Sequence, residues 1–312
     1  MTIAIRTERL TKYYGSVVGL EDVSLEIVEG EVFGFLGPNG AGKTTTIRML
    51  LDLVRPSAGA AWIRGMHCRT EGVEARRHVG YLPGELAIYP ELNGGAFLAY
   101  LAQVGGQPVT RQALEHLLHR FDVSDVDLRR PMREYSHGMK RKLGIIQALA
   151  PMPPVLILDE PTNGLDPLMI EAFAETLHEL KQAGRTTVFL SSHVLSEVEK
   201  TCDRVGLVRR GKLAALQSLA EIRASVPRRV TITFTRPVET DPPSIDGVAI
   251  VTRAAATWLL DVRGPLGPLI ERLGGLPIDD IRVDPFSLED YVLRFYSDSS
   301  PDAAHTPSRP HP

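Results

Sequence analysis

The run Gly37-Pro38-Asn39-Gly40-Ala41-Gly42-Lys43-Thr44-Thr45 follows a short apolar stretch, Val32 to Leu36, and opens a helical run expected from Thr44 to Val54. A strand that feeds a helix through a glycine-rich loop is the context a phosphate-binding loop requires, and it commits the chain to an α/β core. Gly37, Gly40 and Gly42 let the backbone curl with successive N–H groups facing an anion, while the helix adds its positive N-terminal end. Lys43 is placed to reach the β- and γ-phosphates of a nucleotide, and Thr44 to set its hydroxyl on Mg²⁺. A turn that merely joins a strand to a helix does not require the fixed positions of GxxxxGK[ST] in this setting.

Composition narrows the remaining choices. At 312 residues and 43% hydrophobic, the chain is long enough for two domains. Its formal net charge of -3 supplies no broad basic field, so nucleic acid is not an expected partner. Cys68 and Cys202 lie far apart without metal-ligand spacing, which suits a reducing compartment. The opening residues carry early charges and no long apolar region, so no signal peptide is expected. No window approaches about 18 uninterrupted apolar residues, so no membrane span is expected.

Strands are expected at Ile3 to Arg9 and at Val23 to Val28, where Val23, Leu25 and Ile27 alternate with polar neighbours. Between them Lys12-Tyr13-Tyr14-Gly15 makes a turn, and an aromatic ring there could stack on a purine. Further strands are expected at Ala60 to Arg64 and around Val79 to Pro83. Helical spacing then dominates, from Asn93 to Leu101 and from Arg111 to Phe121, so that roughly Leu86 to Ala150 reads as a helical insertion. At its end, Ser136 suits a helix N-cap, and Gly138 leaves the first-turn amides open to a phosphate.

The run Val155-Leu156-Ile157-Leu158 suits a strand buried on both faces of a parallel sheet, and it delivers Asp159 and Glu160 to the carboxyl edge where ligands bind. Asp159 can hold Mg²⁺, and Glu160 can orient or deprotonate an attacking water. Asn163-Gly164-Leu165-Asp166-Pro167 is a turn leading into a helix expected from Leu168 to Lys181. A further buried strand, Thr186 to Leu190, ends at Ser191-Ser192-His193, and His193 at that same edge could bond a γ-phosphate.

In this order the motifs resemble those of the ATPase subunits of ABC transporters, specifically single-domain ATPases of bacterial drug-export-type systems, over roughly Ile3 to Leu216. The resemblance implies a P-loop NTPase fold with a helical subdomain, ATP and Mg²⁺ as ligands, and ATP hydrolysis that powers a separate polytopic membrane permease from the cytoplasmic face. It also implies a head-to-tail dimer, with each ATP between the loop of Gly37 to Thr45 in one copy and the signature at Tyr135 to Met139 in the other. Tyr14 would then be the aromatic-loop residue, Val155 to Asp159 the Walker B strand, Gly164 to Asp166 the D-loop, and His193 the switch histidine. A soluble ABC ATPase of translation or repair is an alternative, but it would carry paired nucleotide domains, a long coiled coil or a cysteine hook. A nucleotide-gated scaffold is another, though binding alone needs neither Glu160 nor His193.

Two departures from the family pattern stand out. The signature reads YSHGM rather than LSGGQ, retaining Ser136 and Gly138 but placing His137 and Met139 at the other positions. Where the family has a glutamine that touches Mg²⁺ and the membrane subunit, this chain has Gly84 followed by Glu85. A one-residue shift in extended chain reverses the side chain, but Glu85 is still expected to reach the metal or its water because Gly84 relaxes the backbone.

After Val226-Pro227 the pattern changes. Strands around Val230 to Phe234, Val248 to Val251, Trp258 to Val262 and Ile281 to Val283, with helices at Pro268 to Leu273 and from Ser287 to Phe295, make a small α+β domain over 227–296. It carries no nucleophile, metal cluster or phosphate loop, so a regulatory or dimer-stabilising role is expected. The nucleotide-binding domain would occupy 1–226 with its helical subdomain at about 86–150, and the polar, proline-rich residues 297–312 are expected to be a disordered tail.

Overall fold

The computed structural model describes residues 2–292 apart from 107, 185, 241, 243, 285, 286 and 290. Two compact units emerge, Met1–Ser218 and Leu219–Pro312. The first begins with β1 (Ile3–Tyr14), β2 (Val17–Val28), β3 (Val32–Leu36), α1 (Lys43–Leu50), β4 (Ala58–Ile63), β5 (Met66–His67), α2 (Gly72–Arg77) and β6 (Val79–Leu82). It continues with α3 (Gly94–Gly105), α4 (Arg111–Arg120), α5 (Asp125–Arg129), α6 (His137–Leu149), β7 (Val155–Asp159), α7 (Pro167–Ala183), β8 (Thr187–Ser192), α8 (Leu195–Thr201), β9 (Arg204–Arg209) and β10 (Lys212–Ser218).

Six strands form the central sheet in the order β10-β9-β3-β8-β7-β6. Every pairing from β9 to β6 is parallel, and β10 joins antiparallel at the edge. Strands β3, β7 and β8 are buried at every residue, which explains their unbroken apolar runs: helices and a second sheet cover both faces. That second sheet is antiparallel, ordered β2-β1-β4-β5. Ile5, Leu10, Leu20 and Ile27 from its inner face pack with Phe33, Phe35, Ile47, Leu50, Ile157 and Phe189 in one core.

Some boundaries differ from the sequence reading. The first hairpin is longer, since β1 runs on to Tyr14 and β2 starts at Val17, so Tyr14 ends a strand instead of sitting in a free turn. Helix α1 stops at Leu50, well before Pro56, because Asp52 adopts a left-handed conformation (φ 55°) that ends the helical path first. Helix α6 starts at His137, directly after Ser136.

Helices α3 to α6 make the helical portion, and side chains cap their starts. Asn93 accepts from the Ala96 amide at 2.8 Å, Thr110 from Ala113 at 3.2 Å, and Ser124 with Asp127 forms a reciprocal capping box. Phe97, Phe121, Met132, Tyr135 and Leu143 are buried here. Arg120 at the end of α4 reaches α7, bonding Glu175 at 2.8 Å and also Glu179.

The second unit holds α9 (Leu219–Ser225), β11 (Arg228–Phe234), β12 (Val248–Ala254), β13 (Thr257–Val262), α10 (Gly267–Leu273) and β14 (Ile278–Val283). Its strands form an antiparallel sheet ordered β12-β13-β11-β14. Alternation puts Val230, Ile232, Phe234, Trp258, Leu260 and Val262 on one face, where Leu269 and Leu273 of α10 cover them. Leu288 and Val292 are buried, but the end of the helix expected from Ser287 to Phe295 and the tail at 297–312 lie outside the described residues.

Candidate active site

The loop after β3 is forced into its path by close packing. Gly42 caps α1 with φ 111° and no side-chain cap, which leaves the first-turn amides uncommitted to a capping group. A Cβ on Gly42 would lie 2.6 Å from the Gly19 carbonyl of β2, so glycine is required there twice over, by conformation and by space. Pro38, Asn39 and Gly40 are exposed at the tip of the loop, Ala41 is buried beneath it, and Thr44 and Thr45 are half-buried on the first turn of α1. Gly37, at the end of β3, is pressed against the Val208 backbone.

Lys43 is buried and points back across the loop. Its Nζ donates to the carbonyls of Gly37 at 2.6 Å and Pro38 at 3.3 Å and lies 3.1 Å from Glu160 Oε1. Thr44 Oγ1 donates to Asp159 Oδ2 at 2.9 Å, and Ser191 Oγ donates to Asp159 Oδ1 at 2.5 Å. The parallel register that sets Asp159 beside Ser191 puts this hydroxyl in place. Glu160, one residue past the strand, sits in the left-handed region (φ 50°), and its amide donates to Ser191 Oγ at 3.1 Å. Its Oε2 meets His193 Nδ1 at 2.7 Å.

Five of the residues singled out from sequence therefore meet at the carboxyl edge of β3, β7 and β8 in two contacting sets, Thr44–Asp159 and Lys43–Glu160–His193, which Ser191 bridges. The donor set suits Mg²⁺, a hard cation usually held by one or two carboxylates plus substrate phosphates and water. Asp159 and the Thr44 hydroxyl supply such oxygens. Among the described residues no group of three or more His, Cys, Asp or Glu forms an all-protein metal cage.

Other expected residues lie around this cluster. The Tyr14 ring is exposed on the first hairpin, with Lys12 Nζ 5.1 Å from its centroid and Gly19 tightly beneath it. Ser136 caps α6, accepting from the Met139 amide at 3.1 Å. A Cβ on Gly138 would stand 2.8 Å from the Gly164 carbonyl, and one on Gly164 would stand 2.3 Å from His137 Cδ2. The start of α6 thus lies directly against the loop of Gly164, with the His137 ring in the space a side chain at 164 would fill. Asp166 caps α7, accepting from Met169 at 3.0 Å.

Glu85 is not brought to the cluster. It is exposed and lines a cavity of about 390 Å³ with Gly84, Leu86, Ile88, His137, Lys140 and Arg141. Gly84 is the residue that faces Asp159, since a Cβ there would lie 3.2 Å from Oδ2. Glycine at 84 leaves no side chain aimed at Asp159, and the one-residue step sends the Glu85 carboxylate elsewhere.

Sequence reading missed three contributors. Ser191 bridges Asp159 and Glu160. Glu197 accepts from the Thr162 hydroxyl just after Glu160, and burial pushes its carboxyl above the ordinary range. Arg141 is almost wholly buried, and desolvation pulls its guanidinium down to about 10. The sequence did hold a signal for Arg141, which falls on the apolar stripe with Ile145 and Ala148.

Comparison with known proteins agrees with this geometry. A family model described as ABC transporter matches residues 20–163. The bacitracin transport ATP-binding protein BcrA of Bacillus licheniformis is 38% identical over 213 residues, covering 68% of this chain and 69% of that protein. YhcH of Bacillus subtilis, an uncharacterized ABC transporter ATP-binding protein, is 38% identical over 221 residues, covering 71% of this chain and 72% of its own. A solved structure of an ATP-binding subunit of an ABC transporter superposes with a TM-score of 0.64 at 33% identity, covering 70% of this chain and 92% of that one. A dimeric cassette bound to ADP and Pi has a TM-score of 0.63 at 21% identity over 69% of this chain and 98% of its own, and shares the fold. The fold and the cluster define a P-loop ATPase of the ATP-binding-cassette kind, and the chain belongs to the ATP-binding proteins of ABC transporters. It binds and hydrolyses ATP as the energy-supplying part of such a transporter.

Proposed function

We propose that the chain powers an exporter whose channel is a separate polytopic permease, and that it works at the cytoplasmic face of the membrane as a head-to-tail dimer. The observation that carries the reading is the contact chain Thr44–Asp159 and Lys43–Glu160–His193 at one sheet edge. No described helix is long and apolar enough to cross a membrane, so the reading assigns the channel to another chain. Two relatives, from Bacillus licheniformis and Enterococcus faecalis, are named for bacitracin transport, which supports the drug-export-type assignment.

In this reading Tyr14 stacks on the adenine, and the amides from Gly37 to Thr45 cradle the phosphates. Lys43 neutralises the β- and γ-phosphates. Thr44 and Asp159 would hold Mg²⁺, which when bound offsets charge on the phosphate oxygens. Glu160 orients the attacking water and takes its proton as the new P–O bond forms and the bond to the β–γ bridging oxygen breaks. His193 donates to a γ-phosphate oxygen, and its bond to Glu160 ties the two roles together.

The second copy is needed because the signature belongs to no site within one chain. Among the described residues, no hydrogen bond joins Ser136, His137 or Gly138 to Lys43, Thr44, Asp159 or Glu160. The exposed start of α6, with Asp166 nearby, would meet the phosphate held by a partner's Lys43. The smaller unit is assigned a regulatory or dimer-stabilising role. With saturating ATP and Mg²⁺, Glu160→Gln should sediment as a dimer. A monomer under those conditions, with ATP shown to be bound, would refute the shared site for the isolated subunit.

A further inference from the structure

Arg141 stands on the buried face of α6, at 2% exposure, and its whole guanidinium is spent on backbone carbonyls. Nε donates to Pro161 O at 3.0 Å, and Nη2 donates to the carbonyls of Asp159 and Glu160. Nη1 donates to Pro83 O at 2.6 Å and Gly84 O at 3.2 Å. Two separate loops are gathered by one side chain: the segment after β6 that faces Asp159, and three consecutive carbonyls around Glu160.

This use of a buried cation is unusual. Among the described residues no carboxylate lies within ion-pair distance of Arg141; five backbone carbonyls receive its guanidinium directly, and the Asp159 and Glu160 carboxylates favour its charge only from farther off. The cost of burial is seen in its lowered basicity. A residue that served only to fill space would be met more simply by an apolar side chain, since buried charge is weak evidence for stability. What the planar five-donor fork does supply is simultaneous, directional hold on several acceptors.

The hold falls where the backbone needs it. Glu160 has φ 50°, a conformation that a residue with a side chain keeps only when its surroundings impose it. Its amide is fixed by Ser191 Oγ, and the carbonyls before, at and after it are fixed by Arg141. Both peptide planes flanking the Glu160 Cα are thereby set, and with them the direction in which the carboxylate leaves the chain.

We propose that Arg141 is a positioning residue for ATP hydrolysis: it locks the backbone at Glu160 and at Pro83-Gly84, and so ties the signature helix to the two loops that flank the reacting phosphate. The proposal rests on the reading of Glu160 as the residue that orients the attacking water. Arg141 also makes the start of α6 and the Glu160 backbone one mechanical unit. A second copy that loads the signature thereby acts on the position of Glu160 through a single residue.

The test uses the full chain with Arg141→Lys and Arg141→Gln, measuring ATP turnover, affinity for a non-hydrolysable ATP analogue, heat stability, and amide exchange over 83–86 and 158–163. Arg141→Gln should lower kcat by roughly 10- to 100-fold, the range for a misplacement of about 1 Å, and should leave analogue affinity within about threefold. Exchange should quicken in both segments and stay unchanged in β3. Arg141→Lys, which keeps the charge and some of the contacts, should fall between. Turnover within about twofold of wild type in both variants, or unchanged exchange, overturns the proposal, as does loss of analogue binding and heat stability in step with kcat. Glu160→Ala separates this from the underlying reading. Wild-type turnover in Glu160→Ala sinks the role of Glu160 itself, whereas an inactive Glu160→Ala beside a fully active Arg141→Gln sinks only the role of Arg141.

Discussion

Glu160 holds Lys43 in an ion pair of 3.1 Å, with side-chain exposures of only 16% and 6%. A phosphate that binds Lys43 must compete with that carboxylate, so Glu160→Gln has two consequences of opposite sign. At this distance the attraction is about 5 kcal/mol for an effective dielectric near 20, a gross figure that the desolvation of both groups offsets in large part. The two Lys43 contacts to the Gly37 and Pro38 carbonyls persist in the variant and soften the loss further. A net effect of roughly 1–3 kcal/mol remains, the range in which partly compensated buried charges fall. Without nucleotide the variant should therefore unfold at lower denaturant, by an amount that corresponds to this loss. With a non-hydrolysable ATP analogue its affinity should rise by about 5- to 150-fold, because no carboxylate has to be displaced from Lys43. Isothermal calorimetry for affinity and urea unfolding with and without analogue read both terms on one sample. Wild-type stability together with wild-type analogue affinity would show that the ion pair contributes nothing. A drop in both would show that Glu160 supports the loop itself, which is the opposite of competition for Lys43.

Other perturbations probe separate parts of the molecule. Glu85→Ala should leave ATPase rate and Mg²⁺ dependence within about twofold of wild type, since the residue is exposed and away from Asp159; a weakened Mg²⁺ dependence would mean that Glu85 moves onto the metal. Ser136→Ala removes the cap of α6 and should cost about 1 kcal/mol in urea unfolding, with a larger loss in ATP-dependent dimer formation. Bonds from Ser124 hold the Asp127 carboxyl below its ordinary value of 3.8. A depressed carboxylate stabilises above the unfolded-state value and loses that contribution as pH falls through the lower folded value, so the stability gap between wild type and Asp127→Asn should narrow as pH falls below 3.8. Leu260→Ala, in the fully buried core of the smaller unit, should cost about 2–5 kcal/mol in that unit.

The site was legible in sequence wherever a motif fixes backbone and side chain together. Gly42 cannot carry a Cβ beside Gly19, Lys43 and Thr44 follow it on the first turn of α1, and Asp159 and Glu160 end a strand whose unbroken burial is written in four apolar residues. His193 could be placed from its strand end alone, because β8 is neighbour to β7 and their carboxyl ends coincide. What the sequence withheld depends on contacts between distant segments. Ser191 looks like any polar residue at a strand end until the β7–β8 register puts it beside Asp159. Gly84 and Glu85 are adjacent letters, yet only the path of the chain after β6 shows that position 84 faces Asp159 while the Glu85 side chain is exposed in the cavity beside it. Arg141 is the sharpest case. An arginine next to two lysines, at Lys140 and Lys142, reads as part of a solvated basic run. Its apolar periodicity with Ile145 and Ala148 points the other way, and the fold resolves the conflict in favour of periodicity, because five carbonyls converge from 58 and about 20 residues away to receive it. A charged residue on the buried stripe of a helix is thus a readable signal for a backbone clamp, even when its acceptors have no side-chain signature.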